Sequence, residues 1–543
     1  MNFSEGARRR WPGFWGGIGL SFITLLAVQA HELISTEITW NREISRIMDR
    51  RCLSCHHPGG MAFDLTIYQK ARPWAKAIKD EVLNRRMPPF GAVKGFGNYS
   101  GDGALTQEEV TLIAEWVEGG APEGEARELP EFTWQGRVAP PPPQIDGEIR
   151  VEKNLTALVK DAKVIGIRPL DVAEDSSLRA AARRPDGSVE PLIWFDGFRP
   201  QFKHDYFFRQ PLDLPAGSKI QINSPGVIAL LTANNPSPRQ RPPREEHGVH
   251  SAPPAEIDGT VELTPEQVAE LLKSGESAGL FVCPMDPDVR SDRPGACSRC
   301  GMSLVLGIPK RLEYAVELET SPRAIQVGKD VDLSFDIREP DTEEPLYHFQ
   351  LVHEKLLHMF IVSDDLEYFL HEHPVFGADG TFRFRTRFPR AGLYRVIADF
   401  YPQGGAPQLA VNTVLVSEKP GDLTLQPISL TPDMSPRTAE NVKIELATEP
   451  AQPIAGLKTL MFFRLTPDEG WEQFLGAWGH MLAASEDMVD LIHNHPFLSY
   501  PEDGRVQFNM IFPRPGTYRV WVQFQRQGVV NTAHFDVPVE ELK

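Results

Sequence analysis

The sequence predicts a multidomain chain: an all-α N-terminal domain, then all-β domains, jelly-roll-like first and two immunoglobulin-like β-sandwiches last, with a small Cys-rich metal-binding module between them. Three observations predict this order. The chain has 543 residues, too many for one compact unit at roughly 100 to 200 residues per domain. Its periodicity changes along its length. Ile44, Ile47 and Met48 recur at helix spacing after Asn41 as a cap, and Thr106 with Glu109 forms a capping box opening a helix through Val117. Beyond residue 145, alternating runs such as Lys219-Ile220-Gln221-Ile222 and Phe382-Arg383-Phe384-Arg385 read as strands. The five cysteines fall into two tight clusters, at 52 and 55 and at 283, 297 and 300.

Net charge is −18, with 56 basic and 74 acidic residues, which excludes a nucleic-acid partner because that role needs a clustered basic face. Arg8-Arg9-Arg10 precedes an uncharged stretch from Trp11 to Ala30. This is an export signal over residues 1–30, cut after Ala30 or retained as an inner-membrane anchor. The body is expected to be periplasmic or otherwise exported, with no membrane span after residue 30. The remaining boundaries are a helical domain at 36–125, a Pro-rich linker at 126–144, a β domain at 145–233 and a linker at 234–260. The Cys module follows at 261–311, then β-sandwich repeats at 312–418 and 421–540. The polyproline run and the second linker leave the helical domain free to move on its own.

Cys52-Leu53-Ser54-Cys55-His56 has the spacing of a c-type haem attachment site. Two thiols one turn apart can each form a thioether to a haem vinyl group, and His56 can place an imidazole on the iron. Met87, in Arg85-Arg86-Met87-Pro88-Pro89, is the candidate second axial ligand, and a thioether there would raise the haem potential. With Pro58-Gly59-Gly60, Ala71-Arg72-Pro73-Trp74 and Trp116-Val117-Glu118-Gly119-Gly120-Ala121-Pro122, the stretch 36–125 resembles the small cytochrome c domains of bacterial periplasmic multidomain proteins. The resemblance implies one covalent haem c with His/Met ligation in a compact helical fold.

In the second cluster, Cys297 and Cys300 can form a two-thiolate knuckle to which Cys283 adds a third thiolate and Met285 and Met302 add thioethers, a donor set suited to Cu(I) or Zn(II). A disulfide between Cys297 and Cys300 is the alternative in an oxidising compartment. These residues resemble the heavy-metal-binding domain of copper efflux proteins and metal-transporting ATPases, whose pattern is Cys-Pro-Met-His-Pro followed by Cys-x-x-Cys-Gly-Met. Asp286 stands where that family has histidine, a harder ligand that favours zinc or a structural role.

Downstream, the chain repeats itself. His358-Met359 leads to His371-Glu372-His373-Pro374, and His480-Met481 leads to His493-Asn494-His495-Pro496, with a separation of 13 between first and second histidine in both. Phe388-Pro389-Arg390-Ala391-Gly392-Leu393-Tyr394 answers Phe512-Pro513-Arg514-Pro515-Gly516-Thr517-Tyr518. Strand residues two apart share a face, so His371 and His373 can meet His358 from a neighbouring strand, with His353, Met359 or a carboxylate completing a copper or zinc site. His480, His493 and His495 offer the same set, with Leu475 in place of His353. The alternative is that His-x-His-Pro fixes a turn by hydrogen bonds. The first copy resembles periplasmic sandwich domains found beside heavy-metal-binding domains.

The stretch 145–233 weakly resembles the C-terminal jelly roll of copper type II monooxygenases, but its one histidine, His204, cannot make a copper site. The expected function is therefore electron transfer through covalent haem, coupled to copper or zinc binding and served by a redox partner protein, rather than the work of a substrate-specific enzyme. The alternative is a copper or heavy-metal sequestering protein with accessory haem. A haem-copper oxidoreductase is the third reading.

Overall fold

The computed structural model describes residues 38–130, 141–152, 155–234, 281–283, 289–291, 293–298, 304–307, 311–340, 342–417, 428–496 and 504–542. It corrects the expected fold class. The chain is predominantly β, with 44% strand against 11% helix and many sheets, and its N-terminal part does not close as an all-α domain. Its regular helices are short: Ser45–Arg51, Tyr68–Ala71, Ala75–Leu83 and Gln107–Glu118. The last starts at the Thr106–Glu109 capping box. Asn41 is not a cap: it lies inside the turn Trp40–Ile44, and its side-chain amide donates to the Gly124 carbonyl at 3.2 Å.

The physical reason lies in residues 90–99, which leave the helical segment to complete a neighbouring sheet core. Phe90, Ala92 and Tyr99 are buried with Val164, Ile193, Phe195 and Tyr206. Ala92 bridges Phe195 and Tyr99 bridges Phe208, while the Tyr206 hydroxyl donates to the Phe90 carbonyl and the Tyr99 hydroxyl to that of Leu192. Further ties fix the segment elsewhere. Arg51 and Lys94 both pair with Glu313 at 2.6 Å, and Arg85 pairs with Asp490 at 2.5 Å. The freely moving N-terminal unit expected from the proline content is therefore absent.

The middle region packs two four-stranded antiparallel sheets on one core. One contains Gly147–Val151, Val227–Thr232, Ala162–Asp171 and Tyr206–Leu214; the other contains Leu155–Ala157, Lys219–Ile222, Leu178–Arg183 and Val189–Phe195. His204 serves this architecture, stacking on Tyr206 at 4.2 Å beside the Pro89 carbonyl.

Each C-terminal repeat is also a pair of sheets. In the first, Val316–Ser321, Asp330–Ile337, Thr381–Arg387 and Val375–Phe376 face Phe369–Glu372, Leu357–Ser363, Gly392–Phe400 and Gln408–Val416. In the second, Arg437–Thr438, Lys443–Glu449, Lys458–Thr466 and Arg505–Ile511 face Trp471–Glu472, Gly516–Arg526, His480–Ser485 and Leu491–Asn494, with Val529–Val539 added at Gly516–Arg526. The strand Leu357–Ser363 is buried at every position, which explains its unbroken apolar run. Met359 and Ile361 enter the core of their own repeat. Phe360 and Val362 point the other way, into an apolar cluster shared with Leu482, Ala484 and Trp521 of the second repeat and with Phe96 and Trp194. The ring of Phe369 stacks on that of Trp521 at 5.2 Å. The two repeats thus press the outer faces of their histidine-bearing sheets together.

Candidate metal centre

The alternation that sends Phe360 and Val362 to this interface also sends His358 there, and pairing fixes its companions. Phe360 lies opposite His371 on the adjacent strand, which puts His373 beside His358 on the same face. In the second repeat Leu482 lies opposite His493, and His480 and His495 follow. The structure brings together both groups named from the sequence: His358, His371 and His373, and His480, His493 and His495, with one nitrogen of each ring within 4.8 Å of the others in its group. Nδ1 of His358 lies 3.1 Å from Nε2 of His371 and 3.2 Å from Nε2 of His373. Three nitrogens about 2 Å from one ion in a tetrahedral array lie about 3.3 Å apart, so the group has the dimensions of a ligand set. Met359 takes no part, being buried in the opposite face.

In four of these rings the outward nitrogen is held by another group. His358 and His480 use Nε2 towards the carbonyls of Val352 and Phe474, each at 3.0 Å. Each therefore donates from Nε2 and keeps a lone pair on Nδ1. His371 donates from Nδ1 to Oε1 of Gln523 at 2.7 Å, and His493 from Nδ1 to Oδ2 of Asp399 at 2.5 Å. Both of these contacts cross between repeats. Asp399 lies opposite His358 in its own sheet and Gln523 lies opposite His480, so the two occupy equivalent places. Each repeat supplies the group that orients a histidine of the other, a common outer partner of metal-bound imidazole. Sequence reasoning missed Asp399 and Gln523; aligning the strands after each Phe-Pro-x-x-Gly-x-Tyr corner would have put them in register.

The two groups touch. Ring centroids of His358 and His480 are 5.7 Å apart, and those of His371 and His480 are 5.3 Å apart. His353, assigned from the sequence to the first group, leans on the second: its ring is 4.1 Å from that of His495 and 5.4 Å from that of His480. Burial dominates the acid–base behaviour. It holds His353 down to about 3 and His358 to about 4, with neighbouring imidazoles adding to the shift at His353, and His373 falls to about 3 for the same reasons. His371, His480 and His495 lie well below the ordinary imidazole range, again through burial first. These are neutral rings at physiological pH, the form that binds a metal.

In the Cys module, Phe281–Val282 pairs with Arg290–Ser291 and with Val305–Leu306. Cys283 and Cys297 are buried, whereas Cys300, Met285, Met302 and Asp286 lie outside the described residues.

At the N-terminus, Ser45–Arg51 runs into the Cys52–His56 turn, where the amides of Cys55 and His56 both donate to the Cys52 carbonyl. Cys52 and Cys55 form no disulfide. Nδ1 of His56 lies 2.8 Å from the Phe63 carbonyl, which leaves Nε2 for a ligand. Phe63 contacts both His56 and Trp74, at 4.7 and 4.5 Å. Met61, Phe63, Ile67 and Trp74 are all exposed, apolar side chains close in sequence to the turn. Met87 lines a cleft with Arg85, Asp196, Val489 and Arg514, and no residue of the Cys52–His56 turn lines that cleft.

Comparison with known proteins identifies two parts of the chain. The heavy metal binding domain family matches residues 280–305. A domain of unknown function (DUF8832) matches twice, at 310–418 and 437–541. The chain therefore carries a heavy metal binding domain followed by a duplicated domain. No match to a cytochrome c family is found, and no curated protein matches. Among solved structures, the Ca2+-stabilized adhesin of an Antarctic bacterium is 8% identical, over 43% of this chain and 50% of its own, with a TM-score of 0.15. A 1.5-MDa bacterial ice-binding adhesin is 11% identical over 43% and 67%, at 0.14. Fibronectin(III)-like modules of Clostridium thermocellum CbhA are 10% identical over 42% and 95%, at 0.13. This chain spans half the length of the first of these, and scores so low carry no argument.

Proposed function

We propose, from the premise that residues 280–305 are a heavy metal binding domain, that the chain is an exported metal-binding redox protein in which each histidine triad holds a copper or zinc ion. The observation that carries this reading is the paired set of imidazoles at the interface between the repeats, whose nitrogens converge at 3.1 to 3.2 Å in the first repeat. The lone pairs on Nδ1 of His358 and Nε2 of His371 face each other at 3.1 Å, which is electrostatically unfavourable, and a cation relieves them. Imidazole donors suit copper and zinc, while the thiolates of Cys283, Cys297 and Cys300, with Met285 and Met302, suit Cu(I) or zinc.

A haem attached through Cys52 and Cys55 with His56 on the iron would supply one-electron chemistry. Around it, the Phe63 carbonyl orients the His56 ring and the exposed side chains of Met61, Phe63, Ile67 and Trp74 offer the apolar contact. On this reading the chain passes electrons to or from a redox partner protein.

The heavy metal binding domain also favours a second reading, sequestration of copper or another heavy metal with haem as an accessory. Metal analysis and a visible spectrum of the full-length protein, with and without Cys52→Ala, separate the two. Electron transfer predicts a reducible haem whose loss in the variant abolishes reduction of the bound copper. Sequestration predicts unchanged metal uptake and no redox consequence. Haem without copper or zinc would overturn both.

A further inference from the structure

His353 separates the two triads in kind. It sits in the tight turn Val352–Lys355, closed by reciprocal backbone hydrogen bonds of 2.9 and 3.0 Å between its ends. Its φ is 47° and that of Glu354 is 63°, the left-handed pair of a two-residue turn that usually recruits glycine or asparagine. The second repeat makes the same turn at Phe474–Ala477, with Leu475 at φ 53° and Gly476 at 74°. The turns meet: a Cβ built on Gly476 would lie 3.8 Å from Glu354 and 4.0 Å from the His353 backbone. A histidine held in an unfavourable backbone conformation over a cluster of histidines is an outlier from which function can be argued.

The nitrogens make the argument specific. Four buried ring nitrogens have no hydrogen-bond partner: Nε2 of His353, Nδ1 of His480, Nε2 of His493 and Nε2 of His495. They belong to one place, since the His353 ring contacts those of His480 and His495. Three of the four, on His480, His493 and His495, lie within 4.8 Å of one another, and the His353 ring packs beside them; buried polar atoms are rarely left unpaired, so His353 stands as a fourth donor next to this triad. The first triad has three rings, whose facing nitrogens contact one another at 3.1 to 3.2 Å. Its equivalent of His353 is Leu475, whose turn carries Phe474 to 6.1 Å from His371.

Building on the proposed copper binding, we infer that the two triads form one asymmetric dinuclear centre. The second ion takes four imidazoles, His353 included, and the first takes three, keeping an open position for a small anion. The rings of His358, His371 and His480 are in mutual contact at 5.3 to 5.7 Å, so the ions share a wall of imidazoles.

The test uses the full chain loaded with Cu(II), read by copper analysis, electron paramagnetic resonance and azide titration. Two coupled ions give a half-field transition, and one azide binds per pair. His353→Leu, which copies the residue the second repeat already tolerates at this turn, should leave both ions bound and raise the azide count to two. Leu475→His should lower it to none. Two copper ions at the triads without a half-field transition, or an azide count that neither substitution changes, would overturn the dinuclear centre while leaving copper binding intact. Absence of copper from the triads, seen as equal copper in the chain and in a His371→Ala/His493→Ala variant, would overturn copper binding as well.

Discussion

The two C-terminal repeats share a histidine pattern, a register and a corner tyrosine, yet they differ at the places where they meet the rest of the molecule. His358, His371 and His373 superimpose in role on His480, His493 and His495, and Tyr394 and Tyr518 both return a hydroxyl to the carbonyl four residues back, at 2.9 and 3.0 Å. Around that common frame, His353 faces Leu475, Asp399 faces Gln523 and Tyr368 faces Asp490. Duplication supplied two equivalent ligand sets, and divergence at a few neighbouring positions made each depend on the other. Neither repeat orients its histidines by itself, because His371 and His493 each hydrogen-bond a group from across the interface.

Removing one ligand from each set breaks the comparison most severely. His480→Ala should eliminate the ion of the second repeat and His358→Ala that of the first, each lowering the metal content of the purified chain by one ion. A loss of both ions from either substitution would instead mean that the centre fills only as a pair.

The corners should respond next, and unequally. Asp490 is fully buried and accepts from Arg85, Arg514 and Tyr518, whereas Tyr368 at the matching position packs on Tyr394 and makes one side-chain hydrogen bond, with Thr386. Asp490→Asn takes from Arg85 its carboxylate and from Arg514 one of three, and should cost about 3 kcal/mol in chemical denaturation; Tyr368→Phe, which loses one hydrogen bond, should cost about 1 kcal/mol. The same contrast appears on acidification. Burial alone would raise the Asp490 carboxyl, but Arg514 and Arg85 outweigh it and hold it down to about 2. A carboxyl lowered by folding stabilises the fold above its ordinary value near 3.8 and loses that contribution as pH falls towards 2. Stability measured between pH 4 and 2 should therefore fall less steeply in Asp490→Asn than in the unaltered chain.

The outer partners give the smallest and most diagnostic effects. Asp399→Asn should weaken the ion of the opposite repeat about 10- to 100-fold, as loss of a histidine's carboxylate partner does. Gln523→Leu should weaken the first repeat's ion by less, about tenfold or below, since a neutral acceptor is the weaker partner. Competitive chelator titrations of the two single variants check the crossing: each substitution should affect the triad on the other repeat.

Much of this was legible in the sequence, and the failures have physical causes. The period-two spacing of His371 and His373 and the repeat of the whole pattern located both triads, because strand geometry fixes which side chains share a face. The helical segment was misjudged because local periodicity at Ile44, Ile47 and Met48 says nothing about where Phe90, Ala92 and Tyr99 go; their burial in a neighbouring β core is a tertiary choice. Polyproline composition suggested independent motion, yet Arg85, Lys94 and Arg51 carry ion pairs to partners hundreds of residues away. His353 was assigned to its own repeat because proximity in sequence was the sole guide, and the reciprocal packing of the repeats was invisible until the outer faces of their sheets were placed together.

The account rests most directly on whether the triads hold metal. Full-length protein and a His371→Ala/His493→Ala variant, purified from the same copper- and zinc-containing medium, can be compared by metal-to-protein ratio with folding checked by circular dichroism. Two fewer ions per chain in the folded variant is the predicted result. An unchanged ratio would show that the histidines are structural and that the metal of this protein resides at its cysteines.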